Sequence, residues 1–258
     1  MPRAIRVHQT GGADTLCWDD VTPPPDPAPG EAQIVHHVIG LNYIDVYHRN
    51  GLYPLPKLPA TLGMEAAGQI AKIGSGVTNF DVGDRVAYAT LPLGAYCERR
   101  NIPAERLVRL PANISSETAV AVLLKGLTAE YLLRRTYQVG SGDTIIVHAA
   151  AGGVGLIMCQ WAKALGASVI GTVSSHAKAS LAQENGCSHV ILLGQEDFVA
   201  RVHAIATRVS VVYDSIGKDT FFGSLDCLRP RGTLVSFGQS SGPVPAFDIA
   251  ELSRRGSL

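Results

Sequence analysis

An excess of charge of either sign is the first thing this chain lacks. Its 258 residues carry 22 lysines and arginines against 22 aspartates and glutamates, a formal net charge of zero. Nucleic acid and anionic membrane surfaces are held through a cationic excess, so neither is an expected partner. The five cysteines, Cys17, Cys97, Cys159, Cys187 and Cys227, are odd in number and form no Cys-x-x-Cys pair. That excludes a disulfide framework or a zinc knuckle and implies reduced, mostly buried thiols in a cytoplasmic protein. No run approaches the ~20 apolar residues of a membrane span, and M-P-R-A-I-R-V-H-Q-T-G-G at the start has no apolar signal-peptide core.

Apolar residues are abundant, at 46%, enough for two domains or one large one. Proline divides the chain: twelve of its fifteen lie at or before Pro111, including T-P-P-P-D-P-A-P-G at 22–30. The early part therefore reads as strands and turns, with strands at Ala4–Val7, Gln33–Ile39, Ala67–Ile73, Arg85–Tyr88 and Tyr96–Arg99 and a helix across Tyr43–Arg49. After Pro111, Ser115 or Ser116 caps a helix through Ala119–Leu124, and a second helical stretch follows at Thr128–Tyr137. Short apolar strands at Thr144–His148, Ser168–Val173, Val190–Leu193, Ser210–Tyr213 and Thr233–Phe237 then alternate with helices at Leu156–Leu165, Ala177–Glu184, Asp197–Ala206 and Thr220–Leu228. That alternation predicts a parallel sheet buried on both faces. The fold class is α/β, with a β-rich domain at 1–112 and a doubly wound parallel-sheet domain at 113–258.

The segment H-A-A-A-G-G-V-G-L, 148–156, joins a strand to a helix through a glycine turn. Gly152 lets backbone approach a pyrophosphate, Gly155 lets the helix pack closely on its strand, and the amides at the helix start favour a phosphate. The first glycine of the usual fingerprint is Ala150 here. Gly153 and Val154 complete the turn. An acid at the end of the next strand would grip a ribose 2′-hydroxyl and select NAD. None is present at 174–178; Ser174, Ser175 and Lys178 offer donors and a positive charge instead, matched to the 2′-phosphate of NADPH. Ser175 as a plain helix cap is the competing reading. Because ligands in such folds sit at the carboxyl ends of the strands, D-S-I-G (Asp214–Gly217, with Ser215) and F-G-Q-S-S (Phe237–Ser241, with Gly238 and Ser240) join the candidate cofactor site.

These segments, with G-L-N-Y-I-D-V-Y-H-R-N-G-L-Y-P, L-G-M-E-A-A-G, V-G-D-R-V, L-L-K-G-L-T-A and V-V-Y-D-S-I-G, resemble the zinc-independent, zeta-crystallin-like quinone oxidoreductases of the medium-chain dehydrogenase/reductases. Gln160 and Lys163 follow the glycine turn at that branch's spacing. The resemblance covers essentially the whole chain. It implies a GroES-like catalytic domain, a Rossmann domain with the active cleft between them, NADPH-dependent reduction of quinones, and a homodimer. It also implies that Asn42, Tyr47 and Tyr53 line the catalytic cleft, with Tyr43 and Asp45 adjacent, and that Lys125, Thr128 and Tyr131 border the cofactor. Tyrosines that only pack remain the competing reading for the aromatic positions.

Zinc-using relatives place a cysteine where this chain has Asn42 and a histidine where it has Met64. Neither replacement is a good zinc ligand, so no metal is expected. The substrate must then be electrophilic already, as a quinone or an α,β-unsaturated carbonyl is. Two features depart from the family: Leu193 stands where a tyrosine often approaches the 2′-phosphate, and relatives continue for tens of residues past R-G-S-L at 255–258. The sheet is therefore expected to lack its last strand and the chain its return segment, which counts against the family's homodimer. Alternatives to the quinone reductase are an alkenal or enoyl reductase of the same family, or a non-catalytic NADPH-binding paralogue.

Overall fold

The computed structural model describes residues 1–254, and the R-G-S-L end at 255–258 lies outside them. The chain divides into two compact units, Met1–Leu124 and Lys125–Leu258. The first contains β1 (Arg3–Val7), β2 (Leu16–Asp20), β3 (Glu31–Gly40), α1 (Tyr43–Asn50), β4 (Ala60–Thr61), β5 (Glu65–Ile73), β6 (Arg85–Ala89), β7 (Arg99–Pro103) and β8 (Val108–Arg109). Two antiparallel sheets result, one in the order β7-β3-β5-β6-β8 and one in the order β2-β1-β4. Ile34, Ile70, Val86, Tyr88 and Ile102 bury one face of the larger sheet. In this sheet β3 bulges between His36 and Val38. The backbones there approach so closely that a Cβ on Gly68 would stand 2.0 Å from the Val35 carbonyl oxygen, which explains glycine at that position.

The next helix, α2 (Ser116–Tyr131), runs across the boundary between the units. The Ser115 hydroxyl caps it, accepting the Thr118 N–H at 3.1 Å. Ala119 and Val120 pack in the first unit, and Ala129 packs in the second. The second unit continues with β9 (Thr144–Val147), α3 (Gly153–Ala164), β10 (Ser168–Val173), α4 (His176–Glu184), β11 (His189–Leu192), α5 (Phe198–Ile205), β12 (Val209–Asp214), α6 (Phe221–Cys227), β13 (Leu228–Ser236) and α7 (Ala250–Arg254). Its sheet is parallel throughout, in the order β11-β10-β9-β12-β13. Ile145 and Val147 pack into one core cluster and Ile146 into another. Successive side chains of a strand point to opposite faces, so both faces of this sheet are covered, as its continuous apolar strands require.

Two expectations need correction, and three short strands were not anticipated. α2 is one helix through Gly126 rather than two; an interior glycine costs only about 1 kcal/mol relative to alanine, and the helix then gives way to a wider π-type turn at Leu132–Thr136. The strand expected at Tyr96–Arg99 lies at Arg99–Pro103, because residues 96–98 bond to β1 instead, with Ile5 N–H donating to the Tyr96 carbonyl at 2.8 Å and Glu98 N–H to that of Arg3 at 3.0 Å. As an edge strand, β7 tolerates Pro103. Finally, β2 and the two-residue β4 and β8 carry no apolar alternation; β2 is exposed at four of its five positions. Of the cysteines, Cys159, Cys187 and Cys227 are buried, Cys97 is partly so and Cys17 is exposed.

Each unit encloses a histidine whose protons follow from its partners. His36 Nδ1 lies 2.7 Å from the Cys97 carbonyl, which only accepts, so Nδ1 carries the proton and Nε2 accepts the Tyr88 hydroxyl at 3.0 Å. Burial lowers the His36 and His148 rings to about 4 each. Both are neutral in the folded protein at neutral pH, whereas the unfolded chain protonates them near 6.5. Folding stability should therefore fall as pH drops from 6.5 towards 4, by roughly 3 kcal/mol for fully buried His148. Asp45, whose carboxyl is raised by burial, acts in the opposite sense. Urea midpoints measured from pH 7 to pH 4.5 should decline steadily; a flat profile would show these rings do not remain neutral.

Candidate active site

In the second unit the parallel strands deliver their carboxyl ends to one edge, and the polar loops gather there. α3 starts at Gly153 with Gly152 as its N-cap and no capping side chain. The first-turn amides of Gly153, Val154 and Gly155 have no intrahelical acceptor, and they stand at the positive end of the helix dipole. Gly155 is required by proximity: a Cβ there would lie 2.4 Å from the Ala149 carbonyl oxygen and 2.7 Å from that of Ala150. Lys125 lies over the same turn, since a Cβ on Gly153 would meet its Cδ at 2.8 Å.

Beside the turn is an open cleft of about 240 Å³. Gly152, Ser174, Lys178 and Ser240 from the predicted set line it, with Leu193 and Ile216. Lys178 Nζ donates to the Ser174 hydroxyl at 3.1 Å, placing an ammonium group and a hydroxyl side by side on the cleft wall. Ser175 instead caps α4, accepting the Lys178 N–H at 3.4 Å, as its competing reading had it. Ala150 is fully buried, and its N–H donates to the Thr172 carbonyl at 3.1 Å. Val154 and Phe237 pack on the core. Ser215, Gly238 and Ser240 are brought together: Ser240 N–H donates to the Ser215 carbonyl at 3.1 Å, and a Cβ on Gly238 would stand 2.9 Å from the same oxygen. Thr128 and Tyr131 follow Lys125 along α2, with Tyr131 41% exposed.

In the first unit Asn42 caps α1, and its N–H donates to Asp45 Oδ2 at 2.9 Å. Tyr96 donates its hydroxyl to the same oxygen at 2.8 Å. Asn42 Nδ2 donates to Glu65 Oε2 at 2.8 Å, and Glu65 Oε1 accepts the Leu124 N–H at 2.8 Å. Glu65 is fully buried, so this contact sets the plane of the Asn42 amide. Tyr47 is buried, its ring 5.2 Å from Tyr43 and 5.1 Å from Tyr53, and Tyr53 in turn meets His48 edge-on at 5.6 Å. The three predicted residues thus share one corner, at α1 and the turn after it. Glu65 and Tyr96 were missed as members of this corner; the lone acid in L-G-M-E-A-A-G was the available signal for Glu65.

Two family models match the chain. Residues 28–143 match the alcohol dehydrogenase GroES-like domain, and residues 153–257 match the zinc-binding dehydrogenase model. The quinone oxidoreductase of Pseudomonas aeruginosa is 52% identical over 260 residues, covering 100% of this chain and 80% of the relative. The chain belongs to the quinone oxidoreductase family. The crystal structure of the Escherichia coli quinone oxidoreductase complexed with NADPH superposes with a TM-score of 0.96 at 51% identity, covering 99% of this chain and 79% of that one. A 2-haloacrylate reductase from Burkholderia sp. is 44% identical, covering 100% of this chain and 80% of the relative. This family member therefore matches about four fifths of its relatives' length.

The zinc-binding model raises a question that the donor atoms answer. Position 42 holds an amide and position 64 a thioether, and the Glu65 carboxylate already accepts Asn42 Nδ2 and the Leu124 N–H. That set does not fit a catalytic zinc, which takes thiolate, imidazole and uncommitted carboxylate. Among the described residues, the grouping with three metal-type ligands is His8, Cys17 and Asp19, on β1–β2 and the residue after β1; there Arg6 also reaches Asp19, at 3.8 Å.

Replacing the Asn42 amide by a carboxylate should be costly, because it sets two buried acids within hydrogen-bond distance. Asn42→Asp is expected to lose about 2 kcal/mol or more of stability at pH 8, with part regained at pH 5 as the pair takes up a proton. Urea denaturation at the two pH values checks both the loss and its recovery.

Proposed function

We propose that this chain reduces quinones by hydride transfer from NADPH, in a site without a metal ion. The observation that carries the reading is the cleft beside the glycine turn, whose wall pairs the Lys178 ammonium with the Ser174 hydroxyl and holds no carboxylate. An adenosine 2′-phosphate carries nearly two negative charges and is matched by that pair, whereas NADH offers only hydroxyls there. The pyrophosphate takes the amides of Gly153, Val154 and Gly155. Lys125, Thr128, Tyr131, Ser215, Gly238 and Ser240 complete the cofactor site. The family relationship supports the same assignment, since its E. coli member was crystallised with NADPH.

When bound, NADPH supplies the hydride. Hydride addition to a quinone restores an aromatic ring and places negative charge on an oxygen. What remains for the protein is to orient the acceptor and stabilise that oxygen. Asn42, its amide plane set by Glu65, orients cofactor or substrate. The Tyr47 and Tyr53 hydroxyls donate to the quinone oxygen, and their packed rings set where those hydroxyls point. Free cysteines and a formal net charge of zero fit a cytoplasmic enzyme that does not bind nucleic acid. Among the described residues no helix is long and apolar enough to cross a membrane.

A second reading, reduction of an activated alkene, is favoured by the 44% identical 2-haloacrylate reductase. Both acceptors are conjugated electrophiles, and the pocket rather than the fold distinguishes them.

NADPH oxidation should accelerate with ortho- or para-quinones, and comparison with alkenals and haloacrylates ranks the two readings. Tight NADPH binding with no turnover on any acceptor would leave a non-catalytic binding protein. Lys178→Ala should weaken NADPH about tenfold, near 1.4 kcal/mol, and NADH little; titrations of equal effect on both would remove the 2′-phosphate assignment. Activity should persist after dialysis against a strong chelator, and loss reversed by zinc would contradict the metal-free site.

A further inference from the structure

A buried polar chain lies behind the cofactor cleft. His148 follows β9, Thr172 is in β10, Asp214 ends β12, and Thr220 and Ser224 begin and occupy α6; none is more than 3% exposed. His148 Nδ1 lies 2.8 Å from the Thr172 hydroxyl, and Nε2 lies 2.9 Å from the Ser224 hydroxyl. Ser224 donates to Asp214 Oδ2 at 3.1 Å. Thr220 donates to the same carboxylate, at 2.9 Å from Oδ1 and 2.8 Å from Oδ2. Oδ1 also accepts the Ile216 N–H at 2.8 Å and the Gly217 N–H at 3.0 Å.

These contacts determine where each proton lies. The Asp214 carboxylate only accepts, so the Ser224 proton points to it. The Ser224 oxygen must then receive its second bond from His148, which places the ring proton on Nε2. Nδ1 is left as an acceptor, and Thr172 donates to it. Burial disfavours protonation of this ring, which is consistent with one ring proton and one acceptor nitrogen. Phe198 packs edge-on against the ring at 5.4 Å, limiting its rotation.

The two ends of the chain meet the cofactor cleft. Thr172 and Ile216 both line it. The Thr172 carbonyl accepts the Ala150 N–H of the glycine turn at 3.1 Å, and Asp214 shapes the S-I-G turn that carries Ile216. We infer that His148 is a positioning residue for the dinucleotide: with its proton on Nε2, it locks the loops after β9, β10 and β12 into one arrangement across which the cofactor binds. The ring is too deeply buried to touch substrate, so its action is through Thr172 and Ser224. The inference rests on the NADPH reading above and deepens it.

The test compares wild type, His148→Phe, His148→Gln and Ser224→Ala for NADPH affinity by fluorescence titration and for steady-state kinetics with a quinone. Phenylalanine keeps the ring and its packing on Phe198 but has no donor or acceptor. Glutamine keeps a donor towards Ser224 and an acceptor towards Thr172. His148→Phe should weaken NADPH about tenfold, in Kd and in KM for NADPH, with kcat and KM for the quinone nearly unchanged. His148→Gln should recover most of the loss. Ser224→Ala, a small change away from the cleft, should weaken NADPH in the same direction, and it carries the test if His148→Phe does not fold. NADPH affinity unchanged in the folded variants, or a loss spread equally over kcat and both KM values, would overturn the positioning role while leaving NADPH use intact. Failure of wild type itself to bind NADPH would remove both readings.

Discussion

The second unit is organised by a close approach at its first strand-to-helix turn. Without a side chain at Gly155, α3 passes so near the end of β9 that a Cβ would intrude to 2.4 Å on the Ala149 carbonyl oxygen. That proximity aims the unpaired amides of the first helical turn at the carboxyl edge of the sheet, where the strand order reverses around β9. The loops after β10 and β12 are then placed by a parallel register to the same strand: Ile145 sits beside Val169 and Val211. This apolar sheet is covered on both faces.

Such a sheet has little tolerance for polar atoms inside it, so those it does contain are paired at its ends. Asp214 is fully buried and collects bonds from two backbone amides and two hydroxyls. In the first unit Glu65 plays a comparable part, holding the Asn42 amide and the Leu124 N–H. In both places a buried carboxylate with several donors orients a group on the candidate site, and each donor offsets part of the buried charge. A preorganised site follows from satisfying buried polar groups, with no separate device needed.

The loss of zinc ligands and the aromatic corner are two aspects of one chemistry. Asn42 is an amide committed to Glu65, and three tyrosines pack together on α1 and the turn after it. Such a set supplies hydrogen bonds and shape but no Lewis acid, which suits acceptors whose reduction is already driven by conjugation or aromatisation. The family relationship, with quinone and 2-haloacrylate reductases among the relatives, lies within that class.

Much of this was legible in the residues alone. The alternation of apolar strands and helices after Pro111, the glycine turn, and the Ser174–Lys178 segment all depend on local pattern or on spacings of a few residues. Contacts between distant positions were not legible: Asn42 with Glu65, Tyr96 with Asp45, and His148 with both Thr172 and Ser224, the last pair 76 positions apart. Nor were β2, whose exposed face carries no periodic signal, or the continuity of α2 through Gly126, where packing of Ala119 and Val120 before it and of Ala129 after it outweighs a weak local preference. Periodicity and turn chemistry are written in neighbouring residues, so the sequence by itself determined the layered architecture and the place of the glycine turn within it. Only tertiary structure decided which buried carboxylate meets which donor, because a hydrogen bond depends on distances of a few tenths of an ångström that strand register and helix packing alone set.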